Sequence, residues 1–308
     1  MNKKAIIGGL IVILAASGIY GYYKYSEIYP STENAYVNAN LINVSPKVSG
    51  YIQEIAVKDN QFVHKGDLLV TINPQDYSLQ LTKAKQDYSL YQQQSGTAKA
   101  ALDKAKSDYK FANDMSIRYT KLYNEHAGSL QDMQKYQNQA DSAKQALSQA
   151  TAQYSAAQTQ IQLAQTGIQN AENNTDYTQI RAPFDGYVSN MNLQVGELVS
   201  TGQKLFGLID DKNWWVDVNL KETQLRRIKE GQKATITLDI YDHKYSGVVQ
   251  SISYASGNTF SLLPAQNATG NWVKVVQRFT VRVKLDNDKD FPLRVGASSY
   301  VSIDTSTK

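Results

Sequence analysis

The apolar residues in the centre of the chain recur at alternating spacings of three and four. This period is typical of helices that pack as a coiled coil. No proline occurs between Pro74 and Pro183, so two long helices are predicted. The first seam comprises Leu81, Ala84, Tyr88, Tyr91, Ser95, Ala98, Leu102, Ala105, Tyr109, Ala112, Ser116, Tyr119 and Tyr123. The second seam comprises Tyr136, Ala140, Ala143, Leu147, Ala150, Tyr154, Ala157, Ile161, Ala164, Ile168 and Ala171.

The two predicted helices are joined by a short segment with turn chemistry, NEHAGS at residues 124–129. A link this short makes neighbouring helices antiparallel. We therefore predict a helical hairpin over residues 74–178, with its tip at about residues 124–129. Its first helix, about 48 residues long, would span roughly 70 Å. The Ser95-Gly96 pair is a weak point of this helix, at which we expect a bend.

Two segments with strand-like alternation flank the hairpin, at residues 44–73 and 179–210. Their glycines and apolar residues fall in the same register, and a proline precedes each copy. Two similar half-sheets related by a pseudo-twofold axis would close one small sandwich. The first copy contains Gly50, Tyr51, Ile52, Ile55, Val57, Phe62, Val63, Gly66, Leu69 and Ile72. The second contains Gly186, Tyr187, Val188, Met191, Leu193, Leu198, Val199, Gly202, Leu205 and Leu208.

The last third of the chain, residues 211–308, again alternates as short strands. Residues 221–233 (KETQLRRIKEGQK) instead predict one short helix that ends at Gly231. The linker at residues 25–43 is predicted to add a strand at residues 32–39. Five or six short strands with one small helix indicate a closed β-barrel. The predicted strands occupy residues 215–220, 234–240, 244–254, 279–285 and 300–303.

The amino terminus carries the single membrane signal in the sequence. Asn2-Lys3-Lys4 precedes an uncharged run at residues 5–23, and Lys24 closes it. About 19 helical residues span roughly 28 Å, close to the hydrocarbon thickness of a bilayer. Residues 1–24 are therefore predicted to be a single-pass anchor with a cytoplasmic amino terminus, because of the paired lysines. Ala5, Leu10, Leu14, Ile19 and Tyr23 are predicted to be anchor residues within this run.

The alternative for this segment is a cleaved signal peptide, with Ala15-Ala16-Ser17 as the small-residue site. We favour the uncleaved anchor because the apolar run continues past that site. In both cases the body of the protein lies outside the cytoplasm. The predicted fold is thus an elongated, multi-domain α+β chain, with an anchor, a split sandwich, an inserted helical hairpin and a β-barrel.

Composition narrows the function. The 308 residues are 42% hydrophobic, which excludes wholesale disorder, and a mean hydropathy of −0.46 excludes a polytopic membrane protein. A net charge of +4 gives no indication of nucleic-acid binding. The chain has no cysteine, and therefore no disulfide, thiolate metal site or lipid-modified cysteine.

No catalytic arrangement is recognisable in the sequence, so we predict no enzymatic activity, no cofactor and no metal. A glycine-rich phosphate loop, a histidine pair at ligand spacing and a nucleophile elbow are all missing. The three histidines, His64, His126 and His243, are scattered singly. His126 in the predicted tip is interpreted as a solvated loop residue rather than a pH switch.

The two flanking halves resemble a biotinyl/lipoyl domain that the hairpin splits at the turn where carrier proteins present their modified lysine. Several strings resemble the EmrA branch of the HlyD-type adaptors, or membrane fusion proteins. These are TENAYV from Thr32, WVD from Trp215, KETQ from Lys221 and SLLPAQNATGNW from Ser261, and the similarity covers nearly the whole chain. The chain is shorter than typical members and the deficit falls in the hairpin, which leaves the reach of the hairpin open.

The resemblance implies a periplasmic adaptor in the inner membrane of a Gram-negative bacterium. Such an adaptor would link an inner-membrane drug/proton antiporter of the major facilitator type to a TolC-like outer-membrane channel, for the export of toxic compounds. It would act as a homo-oligomer, a trimer or hexamer in the pump. An adaptor of an ABC-type or RND exporter is the runner-up. A carrier subunit of a biotin- or lipoate-dependent enzyme is opposed because this chain lacks the turn that would present the modified lysine. A structural envelope coiled coil would leave the repeated halves unexplained.

At the predicted tip, Arg118, Leu122 and Ser129 match the Arg-Leu-Ser spacing that adaptor hairpins present to TolC-like channels. The resemblance implies that these three residues dock the outer-membrane channel. The alternative is structural. Arg118 would then only solvate its helix, and Ser129 would cap the second helix, as serine commonly does at a helix start.

Overall fold

The computed structural model describes residues 16–17, 20–21, 24–241, 243–260, 275–286, 288 and 290–306. The five positions that represent the predicted anchor lie outside these residues, and so does the string from Ser261 to Trp272. Within the described residues, no helix is both long and apolar enough to cross a bilayer. Residues 24–28 form a short helix that leads into the first strand.

The predicted helical hairpin is confirmed. Helix α1 runs over Gln75–Asn124 and helix α2 over Leu130–Asp176. Three contacts between them show the antiparallel arrangement. Tyr119 stacks on Tyr136 near the tip with ring centroids 4.1 Å apart, Gln158 Nε2 donates to Ser95 Oγ at 2.9 Å midway, and Lys85 pairs with Glu172 at 3.8 Å near the base.

The two seams lie at the interface between the helices. Every predicted seam residue is buried or half-buried except Tyr123, while most residues between them are exposed. Small side chains such as Ala112 and Ala140 lie at the centre of this interface and allow the two backbones to approach closely. Helix α1 continues through the Ser95-Gly96 pair without a break. The Ser95 hydroxyl is buried and accepts the hydrogen bond from Gln158, so this predicted weak point is held by an interhelical contact.

The split sandwich is built from six short strands on both sides of the hairpin. A four-stranded sheet has the order β5-β4-β2-β7, and β3 pairs with β6 at the end of the larger sheet. Its core contains large fully buried side chains from both halves, among them Ile52, Leu69 and Phe206. The strands are β2 (Gly50–Ile55), β3 (Phe62–Val63), β4 (Leu68–Ile72), β5 (Gln179–Arg181), β6 (Gly186–Ser189) and β7 (Leu198–Val199).

The hydrogen bonds of the sandwich confirm the predicted pseudo-twofold relation between its halves. The Gly66 N–H donates to the Ala182 carbonyl at 2.7 Å, and its counterpart Gly202 donates to the Pro46 carbonyl at 2.9 Å. Both glycines are left-handed, with φ of 93° and 79°. A side-chain contact repeats too: the Lys58 N–H donates to Gln61 Oε1, and the Gln194 N–H donates to Glu197 Oε2.

The β-barrel closes because its first and last strands in the sheet order also pair with each other. The order is β1-β12-β9-β10-β11-β8, and β1 pairs with β8. Inward residues of these strands form one core, among them Val37, Val216 and Val283. The strands are β1 (Ser31–Val44), β8 (Phe206–Lys221), β9 (Lys233–Leu238), β10 (Lys244–Ser256), β11 (Arg278–Leu285) and β12 (Ser298–Ile303). Two short 3-10 helices accompany them, Glu222–Arg227 after β8 and Gly257–Phe260 after β10.

Strands β1 and β8 run from the barrel into the sandwich as one paired ribbon. Their register extends from the Ala35–Val218 pair in the barrel to the Val44–Phe206 pair in the sandwich, with a bulge between Ala39 and Leu41. Strand β8 then pairs with β6 of the sandwich, where Gly186 faces Asp210. The hairpin is therefore joined to the barrel through continuous β structure rather than through a flexible linker.

The short helix predicted at residues 221–233 is wrong in length and type. The structure has a 3-10 helix over Glu222–Arg227 only. Ile228 leaves the helical path with φ −78° and ψ 131°, because its side chain is buried in the barrel core. Gly231 is left-handed, with φ 86°, and its N–H donates to the Val249 carbonyl. A buried apolar residue and a sheet contact thus override the helical propensity of this segment.

Candidate docking interface at the hairpin tip

The tip is a tight turn closed by two backbone hydrogen bonds. The Ala127 N–H donates to the Leu122 carbonyl at 2.8 Å, and the His126 N–H donates to the Tyr123 carbonyl at 3.0 Å. This pair of bonds is the Schellman pattern that satisfies the last carbonyls of a helix. His126 occupies the left-handed position of this pattern, with φ 60°, where glycine is the usual residue. His126 is exposed, as its interpretation as a loop residue required.

The second helix begins with a side-chain cap. Ser129 is extended, and its Oγ accepts from the Asp132 N–H at 3.1 Å while its hydroxyl donates to Asp132 Oδ2 at 2.7 Å. Such a cap satisfies a backbone donor that has no partner within the helix. The alternative interpretation of Ser129 as a helix cap is therefore confirmed. Its hydroxyl is occupied on both sides, which leaves the backbone geometry, rather than a free hydroxyl, as its contribution to the tip.

A stacked tyrosine pair holds the two helices together one turn below the tip. The rings of Tyr119 and Tyr136 are 4.1 Å apart between centroids and inclined by 21°. The side-chain hydrogen bond with Tyr136 raises the pKa of the Tyr119 hydroxyl above its ordinary value, and the neighbouring Tyr136 and the Asp132 carboxylate add to this rise. The Tyr119 hydroxyl is therefore neutral at physiological pH, and its ring makes an uncharged stacking contact between the two helices.

The structure brings Arg118 and Leu122 onto successive turns of α1, next to this tyrosine pair. Arg118 is exposed and makes no hydrogen bond or ion pair with any residue that the structure describes. Leu122 is half-buried against the turn, where a Cβ on Gly128 would lie only 3.2 Å from its Cβ. Arg118 thus presents an unpaired cation, and Leu122 presents an apolar edge that the turn fixes in place.

Two further apolar residues at the tip were not identified from the sequence. Ile117 is 62% exposed and Leu130 is 47% exposed, on either side of the turn. Ile117 also lines a shallow depression on the outer side of α1, together with Thr120, Lys121 and Glu125. Their signal in the sequence is that both are large apolar residues outside the seams, beside the predicted turn. The tip therefore combines exposed apolar surface with a free arginine, which is the composition of an interface centre.

The described residues offer no metal-binding arrangement. No group of three or more His, Asp or Glu side chains in that part of the chain is placed to hold a metal ion. His64 lies 3.9 Å from Asp185, and His243 lies 3.7 Å from Asp288, each as a partly exposed pair. The tip offers exposed apolar and cationic surface, which can bind another protein surface.

Comparison with known proteins agrees with this architecture domain by domain. Residues 40–211 match the family described as RND MFP, barrel-sandwich hybrid domain, and residues 213–304 match the AAEA-like beta-barrel domain. The first match covers the split sandwich with its inserted hairpin, which is more than half of the chain. The chain belongs to the membrane fusion protein family.

Curated relatives place the chain among the EmrA-type members of this family. It is 37% identical to the multidrug export protein EmrA of Escherichia coli K12, over 95% of this chain and 80% of that protein. It is 32% identical to the colistin resistance protein EmrA of Acinetobacter baumannii, over 99% of this chain and 96% of that protein. The predicted resemblance to the EmrA branch is thereby confirmed.

Among solved structures, MacA from Actinobacillus actinomycetemcomitans has a similar fold. Its TM-score is 0.69 at 26% identity, over 90% of this chain and 77% of that chain. The similarity in fold therefore extends over most of this chain. Membrane fusion proteins have a non-enzymatic adaptor role.

Proposed function

We propose that this membrane fusion protein is the periplasmic adaptor of a multidrug efflux pump in a Gram-negative bacterium. It would link an inner-membrane drug/proton antiporter of the major facilitator type to a TolC-like outer-membrane channel. The observation that carries the proposal is the 37% identity to a protein named a multidrug export protein, which extends over 95% of this chain. The repeated halves and the hairpin inserted between them are then parts of one adaptor.

An adaptor of an RND exporter is the second candidate. It is favoured by the matching family description, which names RND membrane fusion proteins over residues 40–211. That match leaves out the barrel, whereas the relatives named EmrA align over nearly the whole chain. Crosslinking in whole cells, followed by identification of the inner-membrane partner, decides between the two. Recovery of an RND or ABC-type transporter, in place of a major facilitator protein, would contradict our assignment of the transporter class.

Residues 1–24 are proposed to anchor the protein in the inner membrane, with Ala5, Leu10, Leu14, Ile19 and Tyr23 as representative positions of the span. The support is the uncharged run of residues 5–23, whose length suits a bilayer. Deleting residues 1–24 should give a folded protein that stays in the soluble fraction and no longer supports export. Persistent fractionation with membranes in cells that lack the partners would reveal a second membrane site and contradict this assignment. The protein is also proposed to act as a homo-oligomer, a trimer or hexamer in the pump. Crosslinking in the assembled pump would measure the number of copies.

The hairpin tip is proposed to dock the outer-membrane channel. The 50 residues of α1 extend about 75 Å from the sandwich, so the turn is the part of the hairpin farthest from the barrel. Arg118 supplies an unpaired charge, Leu122 an apolar anchor, and Ser129 fixes the turn through its cap. Interfaces gain most of their affinity from a few such residues, and arginine is prominent among them.

Reversing the charge of Arg118 tests this docking site. Arg118→Asp should abolish resistance to exported toxic compounds and crosslinking to the channel, without lowering the abundance or melting temperature of the adaptor. Lys110→Asp is the matched control, because Lys110 is an exposed cation on the same helix, about 12 Å further from the tip. If Arg118→Asp and Leu122→Asp both leave export and channel crosslinking at the level of the control, the tip does not dock the channel.

A further inference from the structure

A second polar site lies at the opposite end of the molecule from the tip, where the chain enters the barrel. A pocket there lies between residues 24–30 and the 3-10 helix Glu222–Arg227. Its polar lining consists of Ser26, Glu27, Thr223, Gln224, Arg226 and Arg227.

Both walls of this pocket are held in place by hydrogen bonds to the barrel. The Ile28 carbonyl accepts from the backbone N–H and the hydroxyl of Thr305, at 3.1 and 2.7 Å. Gln224 Nε2 donates to the Ser31 carbonyl at 3.1 Å, and the Ile303 N–H donates to the Pro30 carbonyl at 3.0 Å. The pocket is therefore preorganised rather than formed by loosely attached side chains.

Cations outnumber carboxylates in the lining of the pocket, with Arg226 and Arg227 against Glu27. Glu27 pairs with Lys24 at 3.1 Å and with Arg227 at 2.8 Å. The hydrogen bond from Lys24, together with the charges of Arg227 and Arg226, holds the pKa of the Glu27 carboxyl below its ordinary value. One carboxylate thus faces three cations, and Arg226 makes no hydrogen bond or ion pair with any described residue.

The free donors of the pocket suit a phosphate group. Arg226 is exposed, and Arg227 uses one terminal nitrogen on Glu27, so most of the guanidinium donors remain available. Guanidinium groups bind phosphate through paired hydrogen bonds. The hydroxyls of Ser26 and Thr223 line the same space and have no hydrogen-bond partner among the described residues. A phosphate could accept from both arginines and a hydroxyl at once.

Aromatic side chains next to the pocket favour a phosphate carried by a membrane lipid. Tyr25 is 62% exposed, and its ring packs on Tyr29 with centroids 4.8 Å apart. Tyr20, earlier in the same segment, is 65% exposed. Exposed tyrosines with a polar hydroxyl favour the headgroup region of a bilayer. The uncharged run of residues 5–23 ends directly before Lys24, which would place the pocket at the membrane surface.

We propose that this pocket binds the phosphate headgroup of an anionic phospholipid in the outer leaflet of the inner membrane. The inference rests on the proposed membrane placement of the adaptor. A single membrane span leaves the body of a protein free to tilt, whereas a second, headgroup contact on the barrel fixes its orientation to the membrane surface. The hairpin would then be directed away from the membrane toward the channel.

The binding experiment uses the full chain in a neutral detergent. Native mass spectrometry measures the uptake of phosphatidylglycerol, with phosphatidylcholine and inorganic phosphate as separate probes. Phosphatidylglycerol should bind in preference to phosphatidylcholine, and added salt should weaken its binding. Since one basic residue near an anionic surface changes affinity about fivefold, Arg226→Gln with Arg227→Gln should weaken phosphatidylglycerol binding roughly 25-fold. The double variant Lys244→Gln with Lys284→Gln removes the same charge from exposed barrel positions and should bind as the wild type does.

A third variant separates binding from a structural role. Glu27→Gln removes the carboxylate that competes for Arg227, so it should strengthen phosphatidylglycerol binding. If the arginines only held the short helix on the barrel, losing Glu27 would instead weaken any binding that depends on that helix.

Four results would overturn the proposal. These are equal binding of the two lipids, unchanged phosphatidylglycerol binding in the double arginine variant, inorganic phosphate binding as tightly as the lipid, and loss of transporter crosslinking in that variant with lipid binding intact. The last result would assign the surface to a protein partner. Failure of the anchor is distinguished separately, because alkaline extraction of membranes tests the span and does not depend on headgroup binding.

Discussion

A single added methyl group at Gly186 should destabilise the protein strongly, because this glycine lies against the backbone of another strand. A Cβ built on Gly186 would lie 2.1 Å from the Ile209 carbonyl oxygen and 3.0 Å from the Ile209 carbonyl carbon. Gly186 is the first residue of β6, which pairs with β8 at this point. The obstacle is backbone in a paired strand, so no side-chain rotation can relieve the overlap.

The expected cost follows from that geometry. Adding a methyl group to a packed site typically costs about 1–3 kcal/mol, and a backbone obstacle places Gly186→Ala at the upper end, roughly 3 kcal/mol. For a unit of this size, each kcal/mol lowers the melting temperature by about 2–4 °C, so a decrease of roughly 6–12 °C is expected. The counterpart Gly50 would place its Cβ 2.6 Å from Ile72 Cγ2, the end of a side chain that can move. Gly50→Ala should therefore cost less.

Thermal unfolding measures the prediction, with the tryptophan region of the near-ultraviolet circular dichroism reporting the β structure that holds Trp214 and Trp215, and far-ultraviolet circular dichroism reporting the helices. Gly167→Ala in α2 is the matched control, and it should change the stability in the opposite direction. Its Cβ meets nothing within 4 Å, and alanine in a helix interior gains about 1 kcal/mol over glycine. If Gly186→Ala melts at the temperature of the wild type, β6 and β8 are not packed as described, and the reasoning fails.

Two further predictions concern the turn and the sandwich. His126→Gly should stabilise the hairpin by roughly 0.5–1 kcal/mol, because glycine adopts the left-handed conformation without steric cost, while His126→Ala should not; equal melting temperatures for the two variants would contradict this. Asp185 accepts hydrogen bonds from the Lys65 N–H and from Lys212, both at 2.9 Å, and these contacts lower its pKa below the ordinary value. Its stabilising effect is present above the unfolded-state pKa and is lost as pH falls through the folded-state pKa, so the stability advantage of the wild type over Asp185→Asn should begin to shrink below about pH 4 and be lost at still lower pH. A difference that persists unchanged to lower pH, measured by urea unfolding, would show that these contacts do not depend on the charge.

The repeated glycines show how far a sequence pattern can be followed into structure. Gly66 and Gly202 were predicted to be equivalent, and both are left-handed and donate to equivalent carbonyls. Gly50 and Gly186 were also predicted to be equivalent, yet they meet different obstacles. The reason is that β8 continues from the second half into the barrel and passes Gly186, whereas the first half ends by turning into α1. The local repeat is visible in the sequence, but the strand with which each repeated segment pairs is not.

The tip was located from the sequence, while its contacts were not. Turn chemistry at residues 124–129 identified the position, because glycine and serine at a helix junction have strong local preferences. The left-handed His126 could not be inferred in the same way, because it depends on the hydrogen bonds of the closed turn. The exposure of Ile117 had a signal in the sequence, since Ile117 lies outside the predicted seam and beside the predicted turn.

Local periodicity was enough to predict the helical hairpin and the two sandwich halves, and the predicted seams are the buried faces of α1 and α2. Contacts between distant segments set the remaining features. They shortened the predicted helix at residues 221–233 to Glu222–Arg227, because burying Ile228 in the barrel core outweighs helical propensity. They also brought Glu27 to within 2.8 Å of Arg227, across 200 residues of chain, because barrel closure sets which distant segments become neighbours.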